Sequence, residues 1–352
     1  MNVSKSTRYH RLTRRAGLLA TGVWMAVLVG MQIAAPAIDR PLLYVLLLAS
    51  LGEGLTTPIE FYRGHILERR FGLSSHTVRH WARQHALAFV VRTSLVGIAV
   101  EIVYTMIRWR PDVWWILAAT FAALLAALLT WLAPVLVLPL FFKLKPLERP
   151  QLAERLLALS TKAGVPVLGV YEWILGGRTT RANAMLVGAG AMRRILVSDT
   201  MLAGYSDDEI EVILAHELGH HVHHDIAKAL ALEILFLFGV FGALGVILGA
   251  LWPRFGLVAP WDIRGLPMLL LVVGLVYVVV APLLNALSRH NERRADRYAL
   301  HLTQRSDAFV SAMRRLGAQN LVEESPSRMA IWLFHTHPPI EERIAAARTV
   351  AI

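Results

Sequence analysis

The chain has 352 residues, 56% of them hydrophobic and 17% charged, with a mean hydropathy of +0.51. Soluble globular proteins carry about 25% charged residues, so this composition argues against a water-soluble fold and for a membrane one. The net charge of +11 invites a nucleic-acid reading that the placement of the charge removes, and the absence of cysteine excludes disulfides and thiolate metal sites.

Crossing a hydrocarbon core takes about 20 apolar helical residues. Six runs qualify, at 16–36, 41–61, 86–107, 113–138, 227–251 and 266–287. The first is too long for a signal peptide, and further spans follow it with no secreted domain between. Lys5, Arg8, Arg11, Arg14 and Arg15 precede the first span, and Arg63, Arg69, Arg70, Arg79 and Arg83 lie between the second and third. Lys143, Lys145 and Arg149 follow the fourth, and Arg289, Arg293, Arg294 and Arg297 follow the sixth. The alternate loops, 37–40, 108–112 and 252–265, are short and less basic. This is the positive-inside pattern with both ends cytosolic. The expected partner of the basic charge is the bilayer, not nucleic acid.

The expected fold class is mainly α: a polytopic membrane helical bundle with a small cytosolic α/β domain. Residues 1–141 would hold four spans with a cytosolic loop at 62–85, and 142–226 the extramembrane domain. Residues 227–287 would form a transmembrane hairpin that returns 288–352 to the same side. Within the domain, 151–163 reads as an amphipathic helix, and 165–175, 183–189 and 193–202 as strands. Ser206 and Glu209 form a capping box for a helix that is expected to run on into the fifth span. A further helix is expected after the sixth. Glu53, Glu60, Arg92 and Glu101 lie in apolar runs and should face a bundle interior or wet cavity. Trp114, Trp115 and Trp131 read as interfacial aromatics.

His216-Glu217-Leu218-Gly219-His220 is H-E-x-x-H on a helix. The i, i+4 spacing sets both imidazoles on one face where they can share a metal, with Glu217 placed to take a proton from an attacking water. The motif alone also arises by chance on a histidine-rich helix, so a third ligand decides. Two full crossings return the chain to its starting side, which puts Glu292 and His220 near the same membrane face. Asp296, one turn on, is placed to accept from a ligand imidazole. Two histidines and one carboxylate leave a coordination position open, as one catalytic zinc requires.

With these residues in view, the chain resembles the type I CAAX prenyl endopeptidases, integral-membrane gluzincin-type zinc proteases. TPIEFYRGHILERRFGL (57–73) is similar to the family's Pro-x-x-x-Tyr segment, with Leu73-Ser74 where Phe-Asn is usual. APVLVLPLFFKLKPLE (133–148), RTTRANAML with RRILVSDTML, LSRHNERRAD, and His337-Pro338-Pro339 with Arg343 follow in the family's order. His221 stands where the family has an aromatic residue, and the six spans are one fewer than is usual in eukaryotic members.

The resemblance implies Glu292 as third ligand to one zinc ion, Asn183 and Ala184 on a substrate-binding edge strand, and His337 as a donor to the oxyanion. It also implies a substrate contact for Arg343, and His221, His223 and His224 are expected on the helix surface or as supporting neighbours of the ligands, His224 the best candidate for that support. A large intramembrane chamber is implied too. The substrate would be a peptide or protein, with lipidation left open. Excess arginine over lysine and abundant alanine suit a GC-rich bacterial genome. The expected location is therefore a bacterial cytoplasmic membrane with a cytosolic site. The alternatives are quality-control proteolysis of non-prenylated membrane substrates, and a zinc-holding scaffold, against which the intact Glu217 argues. A site-2-type protease would need an aspartate inside the last span, which has none.

Overall fold

The computed structural model describes residues 4–136, 143–175, 179–188, 190–323 and 326–350. The centre of the 133–148 motif, the end of the fourth expected span, and Arg178 and Ala189 of the strand motifs lie outside these residues. The N-terminal half is helical: α1 (Lys5–Ala34), α2 (Pro41–Phe61), α3 (Val78–Trp109) and α4 (Trp114–Leu136). Strand β1 (Lys143–Pro146), helix α5 (Pro150–Lys162) and strands β2 (Gly169–Ile174), β3 (Ala184–Val187) and β4 (Arg194–Ser198) follow. Then come α6 (Asp199–Gly204), α7 (Asp207–Val222), α8 (Asp225–Leu251) and α9 (Leu266–Thr303). The chain closes with α10 (Ser306–Gln319), α11 (Arg328–Phe334) and α12 (Ile340–Val350).

Six helices among the described residues, α1 to α4, α8 and α9, are long and apolar enough to cross a membrane. They coincide with the six apolar runs, and α1, α3, α8 and α9 extend beyond theirs at one end or both. Helix α1 packs on α2 and α9, α2 on α3, and α4 on α8. Tyr44, Leu48, Tyr104, Ile107, Leu248 and Leu269 form the buried seam of this bundle. Trp114 and Trp115 pack against the bundle. Trp114 is buried edge-on to Phe241, and Trp115 fills the space over Gly242 and Gly245, where small residues let the helices approach. The acidic residues of the spans are paired: Glu53 with Arg92 at 2.5 Å and His85 at 2.7 Å, Glu60 with Arg63 at 2.7 Å, Glu101 with Arg108 at 3.5 Å.

Helix α2 continues through a π-helical turn, Tyr62–Leu67, and a last α-turn, Glu68–Arg70. That continuation delivers Glu68 to the Tyr9 hydroxyl of α1 (2.5 Å) and to Arg181 (3.1 Å). The loop beyond it pairs Ser74 with Thr179 as an antiparallel bridge.

The four strands form one sheet in the order β1-β2-β4-β3, with β2 and β4 parallel and the other pairs antiparallel. One face packs on α5, α7 and α10 through Leu152, Leu156, Ile195, Val197, Ile210 and Phe309. Strand β1 was not anticipated, and the strand expected over 193–202 stops at Ser198. Its hydroxyl accepts from the Met201 N–H and caps α6 instead. Helix α7 has the expected reciprocal capping box, Ser206 Oγ from Glu209 N (3.3 Å) and Glu209 Oε2 from Ser206 N (2.8 Å).

Two expectations of helix continuity are reversed. Helix α7 does not run into the fifth span: His223 Nδ1 reaches back to the Gly219 carbonyl (2.7 Å), His224 turns left-handed (φ 56°), and α8 restarts at Asp225. The sixth span and the helix after it are one element. Helix α9 has 38 residues, and at 1.5 Å per residue that is about 57 Å, enough to cross the membrane and project well beyond it.

Candidate active site

The site forms where α7 crosses the projecting end of α9. Gly219 permits the crossing, since a Cβ there would lie 3.1 Å from the Ala295 Cα. The i, i+4 pair on α7 then sits over Glu292 on α9. His216 Nε2 and His220 Nε2 are 3.3 Å apart, and lie 3.3 Å and 3.4 Å from the two Glu292 oxygens. These three residues are a group able to hold a metal ion, with one ligand atom from each within 4.8 Å of the others.

The far side of each imidazole fixes what faces inward. His216 Nδ1 donates to Asp296 Oδ1 (2.8 Å), and His220 Nδ1 donates to Asp225 Oδ2 (2.9 Å). Each carboxylate is itself held by an arginine, Asp296 by Arg343 (2.6 and 2.8 Å) and Asp225 by Arg294. With the protons on Nδ1, the two Nε2 lone pairs and a carboxylate converge on one point. That is unfavourable until a cation arrives. Tetrahedral zinc with bonds of about 2.0–2.1 Å separates its ligand atoms by about 3.4 Å, so the observed spacings fit it. The pull of the site on positive charge shows in His216 itself: burial opposes its charged form, but its hydrogen bonds to Asp296 and Glu292 outweigh that and lift it to about 9, so a metal ion there takes the place of the Nε2 proton.

Glu217, His216, Glu292, Asn183, Ala184 and His337 share the wall of one cavity of about 540 Å³. Burial pushes the Glu217 carboxyl above its ordinary value, against the pull of the neighbouring histidines. His337, exposed on the loop between α11 and α12, lies with Nδ1 2.8 Å from Glu292 Oε2.

Four expectations change. Asp225, not His224, is the neighbour of His220. The left-handed turn at His224 spends that residue on the helix break and swings the next one inward. No spacing rule exposes such a break in advance. Arg343 is engaged by Asp296 and nearly buried, so its contact is with the ligand support although it also borders the cavity. Asn183 turns its backbone to β4, its carbonyl accepting from Ser198 N (2.9 Å) and its N–H meeting Ser198 Oγ (3.0 Å). His221, read as helix surface or ligand support, approaches the Leu186 carbonyl of β3 (3.4 Å). The cavity also holds residues that carried no motif, among them His10, Arg14, Asn320 and Glu323.

Comparison with known proteins places this arrangement. Peptidase family M48 matches residues 146–351, and the CAAX prenyl protease N-terminal region, described with five membrane helices, matches residues 10–143. An uncharacterized metalloprotease, YhfN of Bacillus subtilis, is 28% identical over 312 residues, covering 86% of this chain and 72% of that protein. CAAX prenyl protease 1 of Saccharomyces cerevisiae is 24% identical over 332 residues, 88% of this chain and 72% of that one. Its human homolog is 25% identical, covering 88% and 74%. The crystal structure of S. mikatae Ste24p superposes with a TM-score of 0.83 at 21% identity, over 97% of this chain and 88% of that one, which shows the shared fold. Together with the six apolar helices, these matches show that the chain is an integral multi-pass membrane metalloendopeptidase and that it belongs to peptidase family M48.

Proposed function

We propose that this chain hydrolyses peptide bonds on the cytosolic side of a bacterial cytoplasmic membrane, using one zinc ion held by His216, His220 and Glu292. The observation that carries the reading is the convergence of two lone-pair imidazole nitrogens and a carboxylate at tetrahedral spacing, beside a buried Glu217 in the same cavity. Zinc, when bound there, supplies Lewis acidity toward water and the scissile carbonyl.

The protein's own groups do the rest. Glu217 accepts the proton of the attacking water and delivers it to the leaving nitrogen, and its buried position favours holding that proton between the two steps. His337, at the mouth of the cavity, donates to the oxygen that gains charge. Asp296 and Asp225 keep the ligand imidazoles turned with Nε2 inward, and Arg343 and Arg294 keep those carboxylates in place. The substrate backbone adds to the open edge of β3 at Ala184, where strand pairing supplies affinity without sequence demands. The basic loops support a cytosolic site.

Relatives named CAAX prenyl protease 1 motivate the choice of test substrate. Purified protein in detergent is offered a fluorogenic CAAX-type peptide, farnesylated or not, with a chelator and Glu217→Gln as controls. Cleavage is expected in wild type and lost with chelator, and Glu217→Gln should lower the rate about 10²–10⁴-fold. Preference for the lipidated peptide supports prenyl-protein processing. Equal cleavage of both supports clipping of non-prenylated membrane segments. No cleavage of either peptide by protein shown to contain zinc would overturn the CAAX-type reading in favour of quality-control proteolysis of other membrane substrates or a scaffold.

A further inference from the structure

In an antiparallel pair, alternate residues turn both N–H and C=O toward the partner and the rest turn them away. Asn183 faces β4 through Ser198, so Ala182, Ala184 and Leu186 face the open edge of β3 and its lead-in. Ala184 borders the cavity. Its two counterparts are already engaged: the Leu186 carbonyl is approached by His221 (3.4 Å), and both polar groups of Ala182 are held by a single side chain.

That side chain is Asn320. Its Oδ1 accepts from Ala182 N (3.1 Å) and its Nδ2 donates to Ala182 O (3.3 Å), the two bonds an added strand would make at that rung. The closure continues upstream. Thr180 O receives Gln319 Nε2 (2.6 Å), Thr180 N reaches Leu73 O (3.4 Å), and Thr179 pairs with Ser74. Asn320 is also fixed from behind. Leu321 takes a left-handed φ of 51°, which a bulky residue adopts only when its surroundings impose it. Helix α1 supplies part of that constraint: His10 Nε2 bonds the Leu321 carbonyl (2.8 Å), and Arg14 clasps Glu323 through two bonds (2.5 and 3.0 Å).

We propose that Asn320 is a register stop, which ends the ladder available to substrate at Ala184 and limits how many residues follow the scissile bond. The inference rests on the strand-addition reading of the site. A substrate added antiparallel to β3, the slightly more stable arrangement, runs its C-terminal arm from Ala184 toward Ala182. There it meets a rung filled by Asn320, backed by Val322 and Glu323 on the same cavity wall. Short C-terminal tails fit in the space before the stop, and longer ones must displace two hydrogen bonds. The α1 anchor makes the first membrane helix part of the specificity device.

The test uses full-length protein in detergent and a peptide series with one fixed N-terminal half and C-terminal arms lengthened one residue at a time, products read by mass spectrometry. Wild type should lose about tenfold or more in kcat/KM once the arm passes a limiting length, the worth of the two hydrogen bonds between Asn320 and the Ala182 backbone. Asn320→Ala should abolish that limit, with zinc content and cleavage of the shortest arm reporting intact folding. Ala184→Pro, which removes the edge N–H at a position where an edge strand tolerates proline, tests the underlying reading separately. If Ala184→Pro depresses all cleavage while Asn320→Ala keeps the wild-type length limit, or wild type shows no limit, the stop is overturned and strand addition stands. A relaxation confined to N-terminal arm length overturns the stop as oriented here. If Ala184→Pro cleaves every arm as wild type does, strand addition fails and the stop falls with it.

Discussion

At the scale of single residues, the informative positions are those whose identity follows from what they touch. Asp225 and Asp296 have parallel jobs, each accepting from the Nδ1 of one of the two candidate ligand imidazoles, His220 and His216, and each held by an arginine. Partners of this kind support metal affinity by about 10–100-fold. Asp225→Asn should therefore weaken zinc retention by that order, measured by competition with a calibrated chelator, while His224→Ala leaves retention near wild type. Glu292→Gln should go further and leave protein without stoichiometric zinc by elemental analysis. Gly219 is constrained by its neighbour, and Gly219→Val would force α7 away from Ala295. Overpacking of that kind costs about 1–3 kcal/mol, and here it also separates the histidines from Glu292, so a lower Tm and lost zinc are expected together.

At the scale of elements, the start of α7 determines how firmly the histidine pair is held. Ser206 and Glu209 satisfy each other's backbone donors, and removing such a cap costs about 1 kcal/mol. Ser206→Ala should lower the thermal midpoint without altering the zinc ligands. Glu209 also receives Ser311 Oγ (2.5 Å) and Arg315 (3.4 Å) from α10. Burial opposes its charge, and the hydrogen bonds from Ser311 and the Ser206 backbone outweigh burial and hold it below the usual carboxylate range. A carboxyl depressed in the folded state stabilises the fold above its unfolded value of about 4.3 and loses that contribution as pH falls through the folded value. The Tm gap between wild type and Glu209→Gln should therefore be full at pH 7 and close as the pH is lowered below about 4.

The same scale shows where pattern reading reached its limit. Apolar runs located six membrane helices because twenty consecutive apolar residues have few other uses. The break after α7 escaped, since nothing in His-His-Val-His-His separates a helix that continues from one that turns left-handed at His224. Strand β1 escaped for a related reason. Four residues, Lys143–Pro146, are too few to establish an alternation, and they pair because β2 presents an edge to them.

At the scale of the whole molecule, the membrane bundle and the sheet domain are tied at named points. Tyr9, Glu68 and Arg181 join α1, the extension of α2 and the lead-in to β3. Arg14 and Glu323 join α1 to the cavity wall. Arg14→Ala should therefore act at a distance from the metal. It should leave zinc content unchanged and raise KM more than it lowers kcat, measured on a peptide that wild type cleaves.

The sequence by itself determined the membrane class, the number of spans and the residue types gathered at the candidate metal site. Those depend on local properties: apolar run length, the i, i+4 period of a helix, and the parity of crossings that returns Glu292 to the side of His220. The tertiary structure alone decided that Asp225 supports His220, that Arg343 acts on Asp296, and that Asn320 fills the rung beside Ala184. Each depends on chain segments brought together in space or on one left-handed turn, and hydrogen bonds across such distances leave no periodic trace in the order of residues.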